Sequence, residues 1–315
     1  MSSPSLRDGQ QPAFRSGFVA LIGRPNVGKS TLMNSFVGQT VSIATRRPQT
    51  TRTRIMGVIN MDNAQIVFVD TPGMHAREKA LNQFMLGEAR SAIGDVDLVV
   101  VIVEAVGKAK QPDAIEKDSW IVQEVKKSSK PSLLAVNKID RMKKKDDLLP
   151  LLASYSEQEI FEELIPISAL KGDGLQELGR AIVDRLPEGP RYFPQDMVTD
   201  QPERLLVAEF IREQAIIRVG QELPYSLAVE TESFKDLPGK SPFIAIGAVL
   251  YVERDSQKGI LIGKKGKMLK EIGSGARRSI ERMLNCRVHL DLRIKVAKRW
   301  SHSMAGLRRV GYENK

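Results

Sequence analysis

The sequence predicts two domains in succession, an α/β unit built on a mixed, mostly parallel sheet and then a small α+β unit. Three observations carry this. Across residues 18–186, short β-branched runs alternate with stretches of helical length, the pattern of strands covered by helices on both faces. Residues 186–204, LPEGPRYFPQDMVTDQPER, hold four prolines and no apolar periodicity, which marks a linker. Beyond it the strand and helix patterns follow a different order, and 315 residues leave room for a second core. The expected bounds are 14–190 for the first domain, 191–204 for the linker and 205–315 for the second domain with a basic tail.

Taken in order, FVALIG, QIVFVD, DLVVVIVEA, SLLAVN and LIPIS are predicted strands of the first domain. In the second, LLVAEFIREQAIIRV has the spacing of an amphipathic helix, and YSLAVETESF and IAIGAVLYVE read as strands. GKMLKEIGSGARRSIERML reads as a helix interrupted at its glycines, and VHLDLRIKV, with alternating apolar and polar positions, as the last strand.

Composition excludes several classes. Hydrophobic residues at 42% and charged residues at 27% suit a packed soluble protein. Apolar stretches such as residues 97–106 contain charge and fall short of the roughly 20 residues of a spanning helix. The opening MSSPSLRDGQQPAF lacks the apolar centre of a signal sequence, so a cytosolic protein is expected. Cys286 is the sole cysteine, and His75, His289 and His302 are too scattered for a zinc site; all four read as packing or surface residues. The net charge of +10 is uneven: residues 258–315 hold 16 Lys and Arg against 4 Asp and Glu, a local +12 that leaves the rest at −2. An excess confined to a patterned segment is the footprint of a polyanion site.

Four motifs follow in order, each at the end of a predicted strand, where open α/β sheets bind ligands. Gly23-Arg24-Pro25-Asn26-Val27-Gly28-Lys29-Ser30, followed by Thr31, is a phosphate loop between strand and helix. Its glycines let backbone N–H groups wrap phosphates, Lys29 reaches the β- and γ-phosphates, and Ser30 ligates magnesium. Asp70-Thr71-Pro72-Gly73 supplies a carboxylate for magnesium and a glycine N–H for the γ-phosphate. Asn137-Lys138-Ile139-Asp140 places a carboxylate to accept from guanine N1–H and the exocyclic amine, a donor pair adenine lacks. Ser168-Ala169-Leu170 offers a backbone N–H near Ala169 to guanine O6. Together they predict a P-loop GTPase of Ras-like fold with GTP as substrate, GDP as product and Mg2+ as cofactor. A small-molecule kinase would have no use for NKID or DTPG. Between the first two motifs, SIATRRPQTTRTR should carry the mobile first switch, with Thr50 or Thr51 closing over magnesium.

In the second domain, Gly263-Lys264-Lys265-Gly266 is expected between a strand and a helix, with Ile260, Leu261 and Ile262 packed beneath it and Lys267 and Lys270 following. A GxxG loop there can clamp about four nucleotides of single-stranded RNA. With few aromatics nearby, backbone clamping and apolar platforms should do more than ring stacking.

GRPNVGKST, PQTTR, DTPG, NKID and SAL together resemble the Era branch of the translation-factor-related GTPases over residues 18–310, and the GKKG region resembles the type II KH domain that ends such proteins. The resemblance selects Thr51 as the magnesium threonine beside Ser30 and Asp70, and implies Lys29, Thr51, Asp70 and Gly73 as the catalytic group. It implies RNA contact through Ile262, Gly263, Lys264, Lys265, Gly266, Lys267 and Lys270. Where Ras-like proteins carry a water-orienting glutamine, Met74 stands here, with His75 next, as a general base or a solvent-facing residue. Slow unaided hydrolysis is implied, with water held by backbone and, in some relatives, by potassium. Asn26 occupies the potassium-ligand position, or is a loop residue tolerant of unusual φ. The family further implies the 3′ end region of 16S rRNA and the 30S subunit as partners, a cytoplasmic monomer with peripheral attachment to the inner face of the cell membrane, and no DNA.

Overall fold

The computed structural model describes residues 13–43, 54–72, 80–107, 110–219, 223–237 and 243–312. Six strands, β1 (Arg15–Ile22), β2 (Ile55–Asn60), β3 (Ala64–Asp70), β4 (Leu98–Glu104), β5 (Ser132–Asn137) and β6 (Glu163–Pro166), form one sheet in the order β2-β3-β1-β4-β5-β6. All pairs are parallel except β2 with β3. Every residue of β3 and β5 is buried, as continuous apolar strands between two helical layers must be. Helices α1 (Lys29–Val37) and α5 (Leu175–Val183) close one face, around Leu32, Phe68 and Leu178. Helices α2 (Ala80–Gly94), α3 (Gln111–Ser128) and α4 (Leu148–Ser156) close the other, around Ala92, Ile121 and Tyr155.

Strand β2 is absent from the sequence-predicted set; its short IMGVIN run carries a glycine pressed against the Met33 side chain. As the edge strand it needs covering, and the predicted linker does this. Val58 N–H donates to Val198 O at 2.9 Å, the Thr199 hydroxyl to Met56 O at 2.6 Å and Asn60 Nδ2 to Gln195 O at 2.9 Å. The fully buried Gln65 accepts from the N–H groups of Tyr192 and Phe193 and donates to Phe193 O.

The second unit runs α6 (Glu203–Arg218), β7 (Ala228–Leu237), β8 (Phe243–Val252), α7 (Asp255–Ile262), α8 (Lys267–Leu284) and β9 (Arg287–Val296). Its sheet is ordered β7-β8-β9, antiparallel then parallel, and α6 and α8 pack on one face around Phe210, Leu250 and Ile280. Ile43 of the first unit is buried in this same cluster.

The region around α7 and α8 departs from expectation. Residues 260–262 are not a strand but the end of α7, whose start is capped by Gln257 Oε1 accepting from Glu253 and Arg254 N–H groups; GKKG therefore joins two helices. Only Leu261 is buried beneath the loop, while Ile260 and Ile262 are 50% and 36% exposed. Helix α8 is unbroken, and its Gly275 serves packing: the Gln214 side chain of α6 leaves no room there for a Cβ. The basic tail is folded: Trp300, Leu307, Val310 and Tyr312 cover the outer face of the sheet, with α9 (Met304–Arg309) capped by the Ser303 hydroxyl. Trp300 Nε1–H donates to Ser226 O at 3.0 Å and its ring stacks on Tyr312 at 5.8 Å.

Candidate nucleotide and RNA sites

The phosphate loop leaves β1 and enters α1 through backbone that side chains would obstruct. A Cβ on Gly23 would strike the Ile102 carbonyl, and one on Gly28, at φ 111°, would strike the Asn137 side chain. Asn26 is exposed at φ 65°, a conformation asparagine tolerates better than most residues. Lys29 is buried, its Nζ donating to Gly23 O at 2.9 Å and Arg24 O at 3.0 Å. Burial pushes its ammonium down to about 8, against a partial upward pull from Asp70.

The Ser30 hydroxyl donates to Asp70 Oδ2 at 2.7 Å, and Ser42, which sequence reasoning passed over, does the same at 2.8 Å. Two hydroxyls around one carboxylate are an all-oxygen donor set, the kind a hard cation takes. No cluster of three or more His, Cys, Asp or Glu occurs among the described residues. The Ser30 hydroxyl and Asp70 carboxylate suit magnesium, which keeps waters and borrows phosphate oxygens. Thr71 is buried and donates to Leu21 O at 2.8 Å, and Pro72 is buried beside it. Thr50, Thr51, Gly73, Met74 and His75 lie outside the described residues.

The base-recognition segments converge on Asn137. Its Nδ2 donates to Val27 O at 2.8 Å, and its Oδ1 accepts from Lys138 N–H at 2.8 Å and Ala169 N–H at 2.9 Å. The Ala169 N–H, expected to face guanine O6, thus has Asn137 as its acceptor. Ser168 donates from Oγ to Asp140 Oδ1 at 2.6 Å, Lys138 pairs with Glu104 at 3.1 Å, and Leu170 is 67% exposed at the rim. Thr31, in the first turn of α1, is half-buried.

The Arg24 side chain turns away from the loop's own backbone. Its guanidinium is held by Asp118 of α3 through Nε and, at 3.3 Å, Nη2, so its contribution to the loop is its backbone. Tyr155 of α4 donates to the same carboxylate at 2.7 Å. No sequence motif marks Asp118 or Tyr155, which stand 94 and 131 residues from Arg24.

In the second unit, Gly263, Lys265 and Gly266 have φ of 70°, 53° and 77°, and Lys264, Lys265, Lys267 and Lys270 are exposed. From this loop a cleft of about 420 Å³ runs between α8 and β9, lined among others by Leu269, Lys270, Arg277 and Leu292. Its α8 side recurs at 269, 270, 273, 274 and 277, continuing from Gly266 at the helix start, one face of a helix. That spacing was available in the sequence, but the expected glycine interruption hid it.

Phosphate and base recognition meeting on one Ras-like sheet, with an αββααβ unit of KH topology behind it, is the build of a P-loop GTPase with an appended KH domain. Residues 18–138 match the family of 50S ribosome-binding GTPases, and residues 222–301 match the KH domain. The chain is 48% identical to GTPase Era of Syntrophus aciditrophicus over 95% of both chains. It is 47% identical to GTPase Era of Geobacter metallireducens over 95% of this chain and 98% of the other. An Aquifex aeolicus Era variant bound to GDP and AlF4− superposes with a TM-score of 0.88. An Era in complex with MgGDPNP and nucleotides 1506–1542 of 16S ribosomal RNA superposes at 0.89. Both are 38% identical, covering 96% of this chain and 100% of theirs. The protein belongs to the Era family of GTPases.

Proposed function

We propose that this protein is a GTP-hydrolysing switch that binds the 3′ end region of 16S rRNA through its KH domain and acts in assembly and maturation of the 30S subunit. The observation that carries the reading is Asn137, whose side chain joins the phosphate loop at Val27 to the guanine-side segment at Ala169. The basic cleft beside GKKG supports single-stranded RNA as the ligand, and the related Era solved with nucleotides 1506–1542 supports which RNA.

In this reading the phosphates lie along residues 23–31, with Lys29 on the β- and γ-oxygens. Ser30, Asp70 and Thr51 would hold magnesium, which would supply positive charge against that developing on the β- and γ-phosphates. Asp140, steadied by Ser168, accepts from the guanine edge, and Gly73 offers its N–H to the γ-phosphate. Met74 cannot orient water, so hydrolysis is slow and relies on backbone groups and a potassium ion at Asn26. Potassium replaced by sodium should then slow turnover more than it weakens nucleotide affinity; equal turnover in both salts removes the ion from the mechanism.

Residues 41–43 support a switch. Val41 packs in the first core, Ser42 bonds Asp70 and Ile43 enters the second core, so a change at the metal site pulls directly on the KH domain. The division at 14–190, 191–204 and 205–315 belongs to this reading, as does a cytoplasmic monomer peripheral to the inner membrane face. Among the described residues no helix is long and apolar enough to cross a membrane. Crosslinking in cells followed by sequencing of bound RNA tests the reading. Recovery of the 16S 3′ end is expected, and enrichment of unrelated RNA would overturn it.

A further inference from the structure

The Arg24, Asp118 and Tyr155 cluster lies outside every motif, yet one of its members belongs to the phosphate loop. Asp118 is 1% exposed and Tyr155 1% exposed, and a carboxylate taken so far from water is tolerated only when its oxygens are well supplied with donors. The donors here come from two separate elements. Arg24 reaches it from the loop with Nε and Nη2, and Tyr155 reaches it from α4 with its hydroxyl. Burial pushes the Asp118 carboxyl up, and the bonds from Arg24 and Tyr155 pull it back.

The chain of contacts does not stop at the guanidinium. The carbonyl of the same Arg24 accepts from Lys29 Nζ at 3.0 Å, and that of Gly23 accepts at 2.9 Å. Two of the three ammonium N–H groups are therefore aimed by loop carbonyls, which leaves the third to be shared between β- and γ-phosphate oxygens. Gly23 is pressed against Ile102 of β4, so one carbonyl is fixed by the sheet. The other is fixed only as well as Arg24 is.

We propose that Asp118 and Tyr155 are positioning residues for GTP turnover: they hold Arg24 from outside the loop, and through its carbonyl they aim Lys29 at the β- and γ-phosphates. This rests on the GTP reading above. A group placed about 1 Å off its target can forfeit a large part of its catalytic effect, and Lys29 has no other described anchor of this kind on its Arg24 side. The Asp118 carboxylate never meets the nucleotide, so its effect must pass through Arg24.

The test is a double-mutant cycle on the full chain, using Asp118→Asn, Arg24→Ala, their combination and Tyr155→Phe, with kcat, KM, fluorescent-GDP affinity and melting temperature measured for each. Asp118→Asn should lower kcat/KM by about tenfold, the scale of one charge-assisted hydrogen bond, and Tyr155→Phe by about threefold. In the Arg24→Ala background, Asp118→Asn should change kcat/KM less than about twofold, since the intermediary is gone. In that background it should also raise the melting temperature, because it discharges a buried carboxylate that has lost its partner. A purely structural role would lower the melting temperature of Asp118→Asn alone while leaving kcat/KM per folded molecule unchanged, which overturns the proposal. So does an undiminished loss in the Arg24→Ala background. If Asp118→Asn does not fold, Tyr155→Phe decides: wild-type kcat/KM in that variant overturns the proposal. Failure of the wild-type protein itself to bind GTP would instead remove the GTP reading.

Discussion

Asn137 and Val27, 110 residues apart in the chain, are joined by a 2.8 Å hydrogen bond from the Asn137 amide to the Val27 carbonyl. The bond ties the base-recognition strand to the crest of the phosphate loop. The same amide oxygen takes the Ala169 N–H at 2.9 Å, so one buried side chain sets three segments in register. These contacts fix the spacing between the phosphate loop and the base-recognition segments.

Asn137→Ala should therefore loosen both ends of the site at once. It leaves a buried carbonyl and a buried N–H without their partner, each worth about 1–3 kcal/mol. Affinity for GDP and GTP should drop by similar factors, at least tenfold, in a fluorescence titration. A loss for one nucleotide only would mean that Asn137 acts on the γ-phosphate and not on the frame.

Asp140→Asn probes base selection. Asp140 Oδ1 already accepts from Ser168 at 2.6 Å, and an amide oxygen can keep that bond while the NH2 turns toward the base. Guanine then presents a donor to a donor, whereas xanthine presents a carbonyl in place of the amine. Preference should move from GTP toward XTP by a factor of 100 or more, since mismatched buried polar groups discriminate strongly. Full GTP affinity with none gained for XTP would mean that the base lies elsewhere.

These residues were legible because each phosphate or base contact is made by a short contiguous segment at a strand end, and a motif of that kind survives in one dimension. What the sequence concealed is of two sorts. Asp118 and Tyr155 act on Arg24 across the fold, and nothing local distinguishes a functional buried carboxylate on α3 from an exposed helical one. Residues 260–262 and Gly275 follow something other than local propensity: the ILI triplet resembles a strand until the Gln257 cap is seen, and Gly275, which looks like a helix break, lets α8 lie close on α6. A local cap decided the first case and tertiary packing the second.

Lys29 makes nucleotide binding depend on pH. Burial pushes its ammonium down to about 8, and contact with a phosphate would raise it again. Binding thus favours the protonated form: affinity is greatest well below pH 8 and falls as pH rises through about 8, with proton uptake on binding above that point. Calorimetry of GDP binding in buffers of different ionisation enthalpy measures this uptake. Affinity constant between pH 7 and 9.5, without proton uptake, would mean that Lys29 stays charged throughout.

The loop between α7 and α8 offers the sharpest test of the RNA site. Lys264 and Lys265 are exposed at its centre, and Lys265 holds φ 53°, a left-handed conformation that aspartate tolerates. Lys264→Asp with Lys265→Asp should accordingly leave the KH fold intact, with a melting temperature within a few degrees of wild type. The change reverses four charge units beside the phosphodiester backbone and ends the release of counterions at two contacts. Affinity for a single-stranded RNA bearing the 16S 3′ end should fall by about 100-fold or more, and the slope of log affinity against log salt should flatten by about two. The tail cannot substitute as a loose basic arm, because Trp300, Leu307 and Tyr312 hold it against the outer face of the sheet. Unchanged binding in a filter assay by the folded double variant would therefore move the site away from the GKKG loop, to the α8 and β9 walls of the cleft around Arg277 and Leu292, where Arg277→Glu would then abolish it.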